Sequence, residues 1–171
     1  FNSEFKNELK AIKERIEQKK VELKPKAFIS VSHIYGLPIP EKTNCQLYYC
    51  EDKVVIGDAT AKGSTTFVLT FDKVKDIIIK TDVEIEKQIV SSIGGAIAGG
   101  MILGPLGAVI GGRAKVKTTR EIIKYLIIAY IGQDGELKNI AFDVTYTPKS
   151  NDFVKLFKEN KKGKTETIVT L

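Results

Sequence analysis

The chain has no tryptophan, one methionine, one histidine and two cysteines in 171 residues. These scarcities exclude several chemistries. His33, Cys45 and Cys50 cannot supply a four-ligand zinc site. Cys45 and Cys50 lie five apart on one apparent strand, an odd separation that puts their side chains on opposite faces. A disulfide between them would need a bulge or turn. Both read as reduced, partly buried thiols, which implies a reducing, cytoplasmic setting. Ser32 and His33 are strand neighbours pointing to opposite faces, so they form no activated nucleophile pair and His33 reads as structural. No G-x-x-x-x-G-K-[ST] or G-x-G-x-x-G motif is present, which removes the usual nucleotide cradles. No catalytic residue, resident metal or cofactor is expected, and no specific nucleic-acid contact.

One stretch lacks something else. Ser91–Gly112, SSIGGAIAGGMILGPLGAVIGG, has no charged residue and holds eight of the fourteen glycines. Elsewhere the chain is ordinary for a globular protein, 43% hydrophobic and 28% charged, with a net charge of +6 that favours anionic partners without choosing among them. It starts at Phe1, as a fragment or trimmed chain would, and the charged first twenty residues do not resemble a signal peptide.

Two amphipathic helices flank a β-rich middle. Residues 3–24 read as a helix with Ser3 as N-cap and Pro25 beyond its end. Phe5, Leu9, Ile12, Ile16 and Leu23 follow heptad-like spacing, with Lys19 in one apolar slot. This stripe lies either on the helix's own domain or on a second copy or partner. From Ala27 the period becomes alternating. The expected strands are a first one from Ala27 to the break at Gly36/Pro38, a hairpin turning at Glu51-Asp52-Lys53, strands at Phe67–Phe71 and Asp76–Glu86, and a hairpin turning at Gln133-Asp134-Gly135. A second helix follows Ser150, with Phe153, Leu156 and Phe157 on one face. The tail TETIVTL is β-prone. Asp82, Glu84 and Glu86 would share a strand face, as a calcium site or as a solvated edge. KENKKGK reads as a solvated, lysine-rich helix end.

CQLYYCEDKVVIGD, FVLTFDKVKDIIIKT, YLIIAYIGQDGELKNIAFD and NDFVKLFKEN together resemble the PH-like (GRAM-like) domains of Gram-positive bacterial and phage proteins, over roughly residues 27–162 minus the glycine stretch. The resemblance implies a mainly β (α+β) fold: a bent antiparallel sheet or barrel of about seven strands, capped by the C-terminal helix. It also implies a non-catalytic role in binding lipid headgroups, peptides or proteins. Phosphoinositide-binding members resemble one another in a basic first hairpin turn, and Glu51-Asp52-Lys53 departs from that pattern. The organisation expected is an N-terminal helix, residues 1–25, then a PH-like domain, residues 26–171, with a glycine-rich insert at 89–114.

Within the insert, Gly95 and Gly99, Gly100 and Gly104, and Gly107 and Gly111 are each four apart, a spacing that lets another helix approach closely. Glycine costs a helix about 1 kcal/mol relative to alanine, so such a helix needs tight packing or lipid to form. If both flanks belong to one continuous sheet, a single membrane crossing is excluded. Two crossings would need about 40 apolar residues. The expectation is therefore a hairpin of two short helices, 89–103 and 106–114, turning at Gly104-Pro105. Three placements satisfy it: dipping into one leaflet, packing on copies of itself, or folding back on its own domain. The first two would use Ile93, Gly95, Ile97, Gly99, Gly100, Met101, Ile102, Leu103, Gly104, Leu106, Gly107, Val109, Ile110 and Gly111. Arg113, Lys115, Lys117 and Arg120 would meet anionic headgroups or serve as a solvated strand start. The function expected is a membrane-surface binding module, peripheral at the inner face of the membrane. The alternative is a self-assembling scaffold, phage- or prophage-encoded, joined through the insert and the N-terminal helix.

Overall fold

The computed structural model describes residues 2–91, 96–97, 101–102, 104–116, 121–163 and 168–171. Helix α1 (Asn2–Leu23) precedes strands β1 (Ala27–Tyr35), β2 (Asn44–Tyr49), β3 (Lys53–Ala59), β4 (Ser64–Thr70) and β5 (Val74–Thr81). Then come α2 (Asp82–Ser91), the two-residue strands β6 (Ala96–Ile97) and β7 (Met101–Ile102), and α3 (Gly104–Val116). Strands β8 (Lys124–Ile131) and β9 (Leu137–Asp143) and helix α4 (Ser150–Gly163) complete the chain.

Seven strands form one antiparallel sheet in the order β4-β3-β2-β1-β9-β8-β5. Side chains from both edges, Leu69 of β4 and Ile77 of β5, enter the same buried cluster as Leu47, Leu126 and Phe142. The sheet therefore wraps around a single core. Helix α4 closes one end by inserting Phe153 and Phe157, with Phe153 edge-on to Tyr49 at 5.5 Å. This is the bent PH-like α+β architecture expected. Gly135 takes φ +79° in the second hairpin turn, as Asp-Gly turns require. Gly36, at φ +101°, ends β1 where any Cβ would lie 2.1 Å from the Asn139 carbonyl oxygen.

The cysteines divide as their spacing requires: Cys45 lies in the barrel core and Cys50 on the outer face beside Tyr48 and Val55, both free thiols. Burial, with Asp58 nearby, pushes the Cys45 thiol up to about 11. His33 is buried, and its ring nitrogens are taken up by the Pro40 carbonyl and the Leu37 N–H, each at 3.2 Å. It fastens the β1–β2 loop.

Four expectations fail. The strand expected at Asp76–Glu86 stops at Thr81, where Thr81 and Glu84 form a reciprocal capping box: the Glu84 N–H donates to Thr81 Oγ1 at 3.1 Å and the Thr81 N–H to Glu84 Oε1 at 3.2 Å. That cap starts α2, so Asp82, Glu84 and Glu86 share no strand face, and among the described residues no acidic group could hold a metal ion. The first insert helix, expected at 89–103, is α2 ending at Ser91 followed by the antiparallel β6–β7 pair. The clustered glycines disfavour continuing the helix. Pro105 sits in the first turn of α3 rather than between helices, a position where its missing N–H and fixed φ cost nothing. In the tail, Ile168–Leu171 form no strand, and residues 164–167 lie outside the described residues.

Candidate functional site

Strands β5 and β8 are neighbours, with Thr81 opposite Lys124. The segment from Asp82 to Ile123 is thus an enlarged hairpin loop, and the chain returns to the end of the sheet it left. Among the described residues no helix is long and apolar enough to cross a membrane.

The loop folds over the outer face of the sheet. β8 is apolar on both faces: Leu126 and Ile128 point into the barrel, while Tyr125, Ile127 and Ala129 point outward and are also buried. Leu106 and Ile110 of α3 and Ile85 of α2 cover them, each fully buried. Each such side chain contributes roughly 1.5–3 kcal/mol by leaving water. Gly107 and Gly111 lie on this inner side too, buried, and α2 packs against α3. Among the described residues, α2 and α3 of the insert thus fold back on their own domain, as in the third expected placement. Leu106 and Ile110, expected at a leaflet or a copy, pack on the sheet of their own domain, and Gly107 and Gly111 are buried beside them.

The other side of α3 is open. Pro105, Ala108, Val109 and Gly112 are exposed and uncharged. Among the described residues, a Cβ at Gly112 would meet nothing within 4 Å, so their packing does not require glycine there. Ile97, Met101, Ile102 and Gly104 belong to the small hairpin and the start of α3. Lys115 lies in the last turns of α3. Ile93, Gly95, Gly99, Gly100, Leu103, Lys117 and Arg120 lie outside the described residues.

Arg113, expected at headgroups, has a partner within the domain. Its guanidinium reaches inward, pairing with Glu41 of the β1–β2 loop and hydrogen-bonding the Tyr125 hydroxyl. Burial pushes the Tyr125 phenol up, against the pull of Arg113. Beneath this clamp lies a cavity of about 450 Å³ between insert and sheet, lined by Ser32, Ile34, Lys42, Asp82, Arg113, Ile123, Tyr125 and Asp143. Asp82 is 1% exposed; its backbone N–H donates to the Ile123 carbonyl at 2.9 Å. Sequence reasoning missed Glu41, Asp82 and Tyr125 as partners of the insert. The available signal was the unbroken apolar run of β8, which lacks a polar face and so needs cover on both sides.

The N-terminal helix splits its stripe. Leu23 packs with Tyr48, Val55, Cys50 and Phe28 on the outer face of β2 and β3, and Ile12 and Ile16 are half-buried. Lys19, in the apolar slot, hydrogen-bonds Thr66 of β4, and Arg15 donates to the Ala61 carbonyl at 3.3 Å. Phe5 and Leu9 stand 59% and 41% exposed.

The family model described as "Glycine zipper containing PH domain" matches residues 42–143, from the end of the β1–β2 loop through β9 and including the whole insert. No curated protein matches the chain. PH-like domains are generally binding modules rather than catalysts.

Proposed function

The chain belongs to the glycine zipper-containing PH domain family, and from that premise we propose that it is a non-enzymatic binding module that docks on an anionic membrane surface through the outer face of its insert. The observation that carries this reading is the two-sidedness of α3. Its inner side, Leu106 and Ile110, completes the domain core; its outer side, from Pro105 to Gly112, is exposed and uncharged. Such a face suits the acyl–headgroup boundary. Lys115, Lys117 and Arg120 follow it in the chain and would supply about 1 kcal/mol each against anionic lipid. Arg113, held by Glu41, is not assigned to headgroups. Buried free thiols fit a reducing compartment, and so the inner face of the membrane.

Flotation with phosphatidylglycerol vesicles tests the reading. Wild-type protein floats, and Val109→Asp, an exposed substitution that spares the core, reduces the floated fraction severalfold. Equal flotation of both proteins, or none of either, overturns it.

A second reading has its own observation. Phe5 and Leu9 are exposed at heptad spacing on the first half of α1, which has no buried residue. A second copy could cover them, giving a scaffold of the kind a phage or prophage would encode. Light scattering of wild type against Phe5→Ser/Leu9→Ser decides it: a discrete oligomer lost in the variant supports assembly, and a monomer in both removes it.

A further inference from the structure

Away from the insert, four ammonium groups gather where α1 ends and α4 begins. Helix α1 stops at Leu23 because Lys24 turns left-handed, φ +46°, with its N–H donating to the Lys20 carbonyl at 2.9 Å. Pro25 prevents resumption. Lys26 then joins the sheet, its N–H donating to the Tyr49 carbonyl at 2.7 Å. The turn before α4 is fixed in the same way, with the Asp152 N–H on the Lys149 carbonyl at 3.0 Å. Backbone hydrogen bonds fix the segments that carry Lys20, Lys24, Lys26 and Lys149, which line one open cleft of about 540 Å³ with Phe28 in its wall and, among the described residues, Asp152 as its one acid.

The charges are poorly compensated. Lys20 has Glu17 at 3.2 Å and lies 4.0 Å over the Phe28 ring. Among the described residues no carboxylate comes within ion-pair distance of Lys24, Lys26 or Lys149. Lysines crowded without counter-charges repel one another, and an anion seated among them relieves that repulsion. Three unpaired lysines against one aspartate, with Lys20 beside them already facing Glu17, suit a ligand with more than one negative oxygen. Lysine binds phosphoryl oxygens as a point charge from any direction.

We propose that this cleft is a binding site for a phosphoryl anion, carried either on a lipid headgroup or on a soluble phosphate compound. The site is separate from the insert and does not depend on the insert's proposed role. If the source is lipid, it gives the domain a second membrane contact.

The test compares two variants that lose equal charge. Lys24→Gln/Lys26→Gln/Lys149→Gln empties the cleft, while Lys6→Gln/Lys10→Gln/Lys13→Gln removes three exposed lysines from the free half of α1. Each is titrated with inorganic pyrophosphate by amide NMR and floated with phosphatidylglycerol vesicles. The cleft variant loses at least about tenfold in affinity for whichever probe wild type binds, given about 1 kcal/mol per lysine; the control loses less than about threefold. Pyrophosphate binding with shifts at Lys24–Phe28 and Lys149 identifies a soluble source. Vesicle binding without pyrophosphate binding, weakened in the cleft variant and not in the control, identifies a headgroup. Val109→Asp leaves pyrophosphate binding unchanged, which separates this site from the insert. Equal losses in both triple variants, or no binding of either probe by wild type, overturns the proposal.

Discussion

The same sheet is covered on its outside twice, by helices of opposite character. Over β2 and β3 lies α1, charged along most of its length and without a buried residue. Over β8 and β9 lies the insert, whose α3 has no acidic residue and buries Leu106 and Ile110 completely. The contrast shows what glycine contributes. A long charged helix can rest on a sheet by one half-buried edge and leave the remainder in water. A glycine-rich helix has little intrinsic tendency to form, so it exists only where its inner face is part of the core. The outer face is then held in place, uncharged, by packing beneath it.

The comparison can be broken most forcefully from the core side. Ile110→Ala should cost about 3 kcal/mol, the usual range for deleting buried methyl groups, whereas Leu23→Ala under α1, at a half-buried site, should cost about 1 kcal/mol. Urea unfolding measures both. Equal costs would mean that the two helices dock equally firmly.

A sharper test uses the buried tyrosine beneath each helix. Burial, with Glu17 of α1 adding to it, pushes the Tyr48 phenol up to about 12. Burial also raises Tyr125, but there α3 brings a guanidinium that pulls the other way. Since both folded values lie above the unfolded one, the stability gained by keeping these phenols neutral is complete below pH 10. For Tyr48 it is lost as the pH climbs through about 12, and for Tyr125 as the pH climbs through its own raised value. Removing the overlying charge should move the two in opposite directions: Glu17→Gln lowers the Tyr48 titration and Arg113→Gln raises that of Tyr125, both followed by phenolate absorbance. Shifts of the same sign would contradict the placement of the helices.

The smallest effect belongs to the clamp. Arg113 and Glu41 are 33% and 44% exposed, so a double-mutant cycle with alanine at each should give a coupling of about 0.5–1 kcal/mol. A coupling of zero would leave packing alone holding the insert.

Much of the barrel was legible in sequence because its signals are local. Asp134-Gly135 and Glu51-Asp52-Lys53 marked the hairpins, the five-residue spacing put Cys45 and Cys50 on opposite faces, and Phe153 and Phe157 marked the plug. The insert was less legible. Val83 and Ile85 alternate like a strand, and this masked the Thr81–Glu84 box that starts a helix there. The four-residue glycine spacing signals close approach but not what is approached. Only the tertiary structure places the outward side chains of Tyr125, Ile127 and Ala129 under Leu106 and Ile110. The headgroup role expected of Arg113 could not be separated from an internal pair because Glu41 is 72 residues away.

The most direct test places an environment-sensitive fluorophore on Val109→Cys, in a background where Cys45 and Cys50 are left buried, and adds phosphatidylglycerol vesicles. The account predicts a blue shift and intensity gain at position 109, absent when the probe is moved to Lys10→Cys on the free half of α1. An unchanged spectrum at position 109 while the protein is bound to vesicles would contradict it.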